Sequence, residues 1–169
     1  MVVNDASVLI DLLDMDLFPS YLELRWELRT TDLIIAELQG DERYMQVSEH
    51  IGEHGLIVDV LDSLALPVVA SMCLNCPGLS LEDCSVWFLA KHRGAILLTA
   101  DSKLRKHAML DGVKVHGSIF LVTVLHERGI INTERASAAL RRLSEANSRA
   151  PHSDIDRLLK TRFQGGNTL

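Results

Sequence analysis

The chain has 169 residues, 47% of them hydrophobic and 24% charged, the balance of a globular domain with a core of its own, which excludes a disordered chain. Its 17 basic and 23 acidic residues leave a net charge of -6, so it has no general attraction for nucleic acid or anionic lipid, and a polyanion has to meet a local basic patch or a bound cation. Three cysteines do not make a disulfide framework, no apolar run approaches membrane-spanning length, and the first twenty residues carry Asp5, Asp11, Asp14 and Asp16 without Lys or Arg; the expectation is a soluble, cytoplasmic protein.

In chain order, Val2-Val3 is a short apolar strand running into Asn4-Asp5. Ala6 to Leu13 places Val8, Leu9, Leu12 and Leu13 at helical spacing. Pro19 interrupts, and Tyr21 to Leu28 has no clear period. Thr31-Asp32 then opens an apolar helix, Leu33 to Leu38, ended by Gly40, and Asp41 to His54 reads as a more polar helix stopped by Gly55. Leu56 to Leu61 is a β-branched strand. Asp62-Ser63 can cap a helix running toward Leu74, and Cys76-Pro77-Gly78 is a loop. Ser80 to His92 is the next helix, closed by Gly94, and Ala95 to Thr99 is the clearest buried strand. Asp101 precedes a basic helix from Ser102 to Leu110, Val113 to Val115 is a last strand, and helices follow over 118–127, 133–147 and around 155–159. Strands alternating with helices predict an α/β fold: three layers, α/β/α, on a parallel sheet of about four to five strands. Ligands of such sheets sit at the carboxyl ends of the strands.

Four acids draw attention there. Asp5 follows the first strand and Asp101 lies two residues beyond Thr99; Glu37 is embedded in Ile34-Ile35-Ala36-Glu37-Leu38, and Asp83 is in the first turn after Ser80. Each has a structural role open to it: Asp5 and Asp101 as helix caps, Asp83 in a capping box with Ser80, Glu37 facing water. If several converge, their repulsion is relieved by protonation or by a cation, and an all-oxygen site selects a hard ion such as Mg²⁺ or Mn²⁺.

Asn4-Asp5-Ala6-Ser7-Val8-Leu9-Ile10-Asp11 resembles the opening motif of PIN domains, including VapC-type toxins; Ile35-Ala36-Glu37-Leu38-Gln39-Gly40 resembles the second motif, Leu81-Glu82-Asp83-Cys84-Ser85-Val86 the third and Leu98-Thr99-Ala100-Asp101-Ser102-Lys103-Leu104 the fourth. The resemblance runs over residues 2 to 120. It departs from the family at Ile34, where many members carry a hydroxyl, and at Cys84, where a small residue is usual. It implies a Mg²⁺- or Mn²⁺-dependent endoribonuclease, with Asp5, Glu37, Asp83 and Asp101 as its acidic quartet. Asp5, Asp83 and Asp101 would ligate metal, and Glu37 would orient water. Ser7, Thr99 and Ser102 would be polar supports or phosphate contacts. Residues 1–130 would be the nuclease domain and 131–169 a helical extension packed on or flanking it. An RNA substrate, an antitoxin partner and a homodimer go with the resemblance.

Lys103, Arg105 and Lys106 follow Asp101 closely, where RNA phosphates would run; an ordinary solvated helix face is the competing explanation. Cys73 and Cys76, with Cys84 and His92, lack the second ligand pair of a structural zinc site, and His50 and His54 lack the Glu of a zinc-protease helix. No phosphate-binding, dinucleotide-binding or serine-hydrolase motif occurs. Two rival functions remain: a catalytically silent PIN-like binding or partner module, against which the full set of acids weighs, and a phosphoacceptor receiver domain, which wants paired acids before its first loop where Asn4-Asp5 supplies one.

Overall fold

The computed structural model describes residues 1–40, 42–52 and 55–163. Five strands, β1 (Val2–Asn4), β2 (Leu28–Thr31), β3 (Leu56–Asp59), β4 (Ile96–Leu98) and β5 (Val115–His116), form one parallel sheet in the order β3-β2-β1-β4-β5. Helices flank it, which makes the chain a three-layer α/β/α protein. They are α1 (Ala6–Asp14), α2 (Phe18–Leu22), α3 (Asp32–Leu38), α4 (Tyr44–Ser48), α5 (Ala65–Asn75), α6 (Leu81–Arg93), α7 (Ser102–Leu110), α8 (Ser118–Glu127), α9 (Thr133–Ala146) and α10 (His152–Thr161).

Parallel strands buried on both faces require continuous apolar runs. Val3, Leu97 and Leu98 accordingly have no exposed surface, and α6, whose Val86, Leu89 and Ala90 are buried, packs against β1, β2 and β4. Helix α6 is bounded as its sequence predicts. The Ser80 side chain accepts from the Asp83 N–H at 3.0 Å, the Asp83 carboxylate accepts from the Ser80 N–H at 2.8 Å, and Gly94 closes the helix in the left-handed conformation, φ 61°.

Two segments depart from expectation. No strand is expected at β2, which begins at Leu28, where the unpatterned stretch ends, and continues through buried polar residues. Thr30 and Thr31 are fully buried, with the Thr30 hydroxyl donating to the Asn4 carbonyl, and the Arg29 guanidinium is neutralised by Asp59 at 2.7 Å. The polar helix expected over 41–54 shrinks to α4, beyond which Ile51 bridges to Leu56; residues 41, 53 and 54 lie outside the described residues. Among the described residues no helix is long and apolar enough to cross a membrane.

Backbone contacts group the chain into two compact units. The first comprises residues 1–9 and 26–116 and contains the whole sheet; the second comprises 10–25 and 117–169. In the second, α8 packs on α2 and α9, and α10 on α9, around Leu121, Leu125, Leu140, Leu143 and Ile155. The part expected to be an extension from residue 131 lies within this second unit. Its Asn147 side chain donates to the buried Asp11 carboxylate at 3.1 Å, and the Ser118 hydroxyl donates to the same group.

Candidate active site

Chain order reverses at β1, whose neighbours are β2 on one side and β4 on the other. The carboxyl ends of β1 and β4 therefore border a crevice at a topological switch point, and Asp5 and Thr99 emerge there. Asp5 is held from both sides. Its N–H donates to the Leu98 carbonyl at 3.0 Å, and one carboxylate oxygen accepts from the Ser7 hydroxyl and from the Thr99 hydroxyl, the latter at 2.7 Å. Those hydroxyls are fixed in turn: the Ser7 oxygen accepts from the Ala100 N–H at 2.9 Å and the Thr99 oxygen from the Asp101 N–H at 3.0 Å. The backbone after β4 thus sets the orientation of the acid after β1.

Asp5 is 4% exposed, and burial raises its pKa to about 6, with the charge of Asp83 adding to the rise while the Ser7 and Thr99 hydrogen bonds oppose it. Glu37 is also raised, first by burial of its carboxyl and then by the charges of Asp5, Glu82 and Asp83. By area Glu37 is an exposed residue of α3 rather than one embedded in apolar surroundings, yet its carboxyl end feels three acids at once. The Thr31 hydroxyl, at the N-terminus of α3, lies 2.7 Å from the Ser85 hydroxyl of α6, which ties the helix bearing Glu37 to the helix bearing Asp83.

Asp5, Glu37 and Asp83 are therefore brought together electrostatically. The Asp101 N–H donates to the Thr99 hydroxyl, and its carboxylate caps α7 by accepting from the Leu104 N–H at 2.7 Å. Ser7 and Thr99 face Asp5. Ser102, Lys103 and Lys106 are exposed on α7, and the Lys103 ammonium lies over Gly78, 2.9 Å from where a Cβ would be. Arg105 is turned inward; its guanidinium donates to the Thr99 carbonyl at 3.0 Å and to the Val115 carbonyl at 3.4 Å, clamping α7 onto the ends of β4 and β5. Glu82 is a member that sequence reasoning passed over, although its place beside Asp83 in the first turn of α6 was the available signal.

No group of three or more His, Cys, Asp or Glu among the described residues is close enough to cage a metal ion. A hydrated ion of the Mg²⁺ type does not need such a cage, since it retains several waters and takes one or two carboxylates. A buried carboxylate whose pKa is raised partly by a second acid is the donor set that such an ion relieves. The chemistry of Asp5 and its acidic neighbours is compatible with a hydrated divalent cation.

The sequence matches the model of the family DUF3368, a PIN domain, over residues 1–162. Among solved structures it is similar to PAE2754 from Pyrobaculum aerophilum, at 22% identity and a TM-score of 0.52, over 75% of this chain and 96% of that one, a likeness of fold. No curated protein matches it. PIN domains are in general nucleases that use divalent metal ions. On the match across nearly its whole length, the chain belongs to the PIN-domain family.

Proposed function

We propose that the chain is a Mg²⁺- or Mn²⁺-dependent endoribonuclease, the toxin of a toxin–antitoxin pair. The observation that carries this reading is the Asp5 carboxylate, buried at the switch point and gripped by Ser7 and Thr99, with the charges of Asp83 acting on it and those of Asp5, Glu82 and Asp83 on Glu37. Asp5 and Asp83 hold the ion, with Asp101 at the border of the site. When bound, the divalent ion acidifies its water and offsets charge on the scissile phosphate. Glu37, exposed and with a raised proton affinity, accepts a hydrogen bond from the attacking water and can take its proton. Lys103 and Lys106 supply positive charge along α7, where the phosphates of an RNA strand would run. Attack of water on the phosphodiester leaves a 5′-phosphate and a 3′-hydroxyl.

Two partners belong to this reading. An antitoxin segment would cover the acidic crevice. A second copy of the chain would cover α5, which leaves Leu66, Val68 and Leu74 exposed and, with α6 and α7, lines an apolar cavity of about 1050 Å³. The competing reading, a silent binding module, draws on the absence of a three-ligand cage among the described residues. Cleavage of a mixed RNA substrate with and without Mg²⁺ or Mn²⁺ separates them. Metal-dependent cutting by the wild type that is lost in both Asp5→Asn and Asp101→Asn, with folding intact, supports the nuclease. RNA binding without cleavage at any metal concentration supports the module.

A further inference from the structure

Three basic side chains gather at β5, the edge strand beside β4. Val113 and Val115 are buried, so the alternation of an extended chain turns Lys114 and His116 to the opposite face, where Lys114 is exposed and His116 half-buried. Their backbone is fixed to β4, whose Leu97 and Thr99 N–H groups donate to the Lys114 and His116 carbonyls at 2.9 and 3.0 Å. Arg105 reaches the same place from α7. Its guanidinium donates to the Thr99 carbonyl at 3.0 Å and to the carbonyl of Val115, the residue between Lys114 and His116, at 3.4 Å.

A clamp on two carbonyls does not account for Arg105. A cation withdrawn from water is costly unless an anion compensates it. Arg105 is half-buried, yet among the described residues no carboxylate pairs with it. Two carbonyls also engage only part of its fork of five N–H donors. His116 feels the same excess of positive charge: burial first, then the charges of Arg105 and Lys114, hold its imidazole below its ordinary pKa. An anion seated among the three would relieve both groups. Thr99 joins this cluster to the acids, since its carbonyl accepts from Arg105 while its hydroxyl donates to Asp5.

We propose that Arg105, Lys114 and His116 form a second phosphate subsite, which takes an RNA backbone phosphate adjoining the one to be cut. It rests on the nuclease reading above. Arg105 and Lys114 supply charge and the His116 imidazole a hydrogen bond. None of these contacts reads a base, so the subsite fixes the register of the strand at the crevice without selecting its sequence. The strand then crosses the end of β5 and does not run along α7 alone.

The test measures binding of a short single-stranded RNA across a range of salt. Every chain carries Asp101→Asn and Mg²⁺ is present, so that the strand is bound and not cut. Adding Lys114→Ala and Arg105→Gln together is expected to lower the slope of log affinity against log salt by about 0.7, one phosphate contact, so that the affinity lost between about 50 and 200 mM salt shrinks about threefold. Lys114→Ala alone, a change at an exposed position, lowers the slope in the same direction should the pair fail to fold. Lys160→Ala, the same change of charge at an exposed position of α10, is expected to leave the slope as it was. RNA binding with an unchanged slope in the Lys114 variant, or an equal fall in Lys160→Ala, overturns the subsite and leaves the nuclease reading standing. Absence of RNA binding by the parent chain also overturns the subsite, and, where the wild type cuts no RNA either, the nuclease reading falls with it.

Discussion

Asp5 is costly to the empty protein. A carboxyl group whose folded pKa of about 6 lies above its ordinary 3.8 is disfavoured as the anion in the folded state. The cost is fully present above the folded value, declines as pH falls, and is gone below the unfolded value. A shift of this size corresponds to about 3 kcal/mol. With metal removed by chelator, Asp5→Asn, which keeps an oxygen to accept from Ser7 and Thr99, is expected to be the more stable protein by up to that amount at about pH 8, the gap closing by about pH 4. Urea melts across this range measure it; a gap that does not change with pH refutes the assignment. A divalent ion bound to the folded state reverses the ranking by mass action, raising the wild-type melting midpoint and leaving that of Asp5→Asn nearly unmoved. Because protons and the ion compete for the same oxygens, that rise is larger at about pH 8 than at about pH 5.

Helix α6 carries both Asp83 and Cys84, and its two ends are bounded by separable devices. At the C-terminus Gly94 has φ 61° with open space where a Cβ would stand, so Gly94→Ala meets only the left-handed penalty, about 1 kcal/mol. At the N-terminus Ser80→Ala removes the acceptor of the Asp83 N–H, for about 1 kcal/mol, and leaves in place the bond from the residue-80 N–H to the Asp83 carboxylate. Denaturant unfolding is expected to show similar losses for the two, and metal-induced stabilisation to be kept in both, because the Asp83 carboxylate retains its backbone donor. The elements that were legible from sequence, such as α6 and β4, are those whose caps and apolar runs are local. Strand β2 was not, because Thr30, Thr31 and Arg29 find their partners in Asn4, Ser85 and Asp59, residues distant in the chain. The same rule holds for the site. The acids at strand ends announced themselves by position, whereas the inward turn of Arg105, the exposure of Glu37 and the charge of Glu82 on it follow from how α3, α6 and α7 pack.

At the scale of the whole molecule a chain of net charge -6 attracts RNA only where its basic residues gather. Replacing Lys103 and Lys106 together by Ala should weaken RNA binding and lower the slope of log affinity against log salt by about 0.7 for each phosphate contact removed; an unchanged slope would take α7 out of the RNA path. The C-terminal quarter makes a different kind of prediction: residues 131–163, within the stretch expected from sequence to be a helical extension packed on or flanking the domain, place buried side chains in the second unit. Leu140 and Leu143 of α9, Ile155 of α10 and Phe163 are almost fully buried, and Arg135 donates to the Asp16 carbonyl at 3.1 Å. Burial of each such side chain is worth about 1.5 to 3 kcal/mol, so the four together rival the whole stability of a typical domain, about 5 to 15 kcal/mol. Removing them also strips Asp11 of its Asn147 hydrogen bond, leaving a buried carboxylate with one donor fewer. A chain ended after Ile130 is therefore expected to lose cooperative unfolding in urea, and Leu140→Ala in the full chain to cost about 2 to 5 kcal/mol. If the shortened chain instead melts cooperatively at the wild-type midpoint, residues beyond 130 form an appendage and the second unit is not a folding requirement.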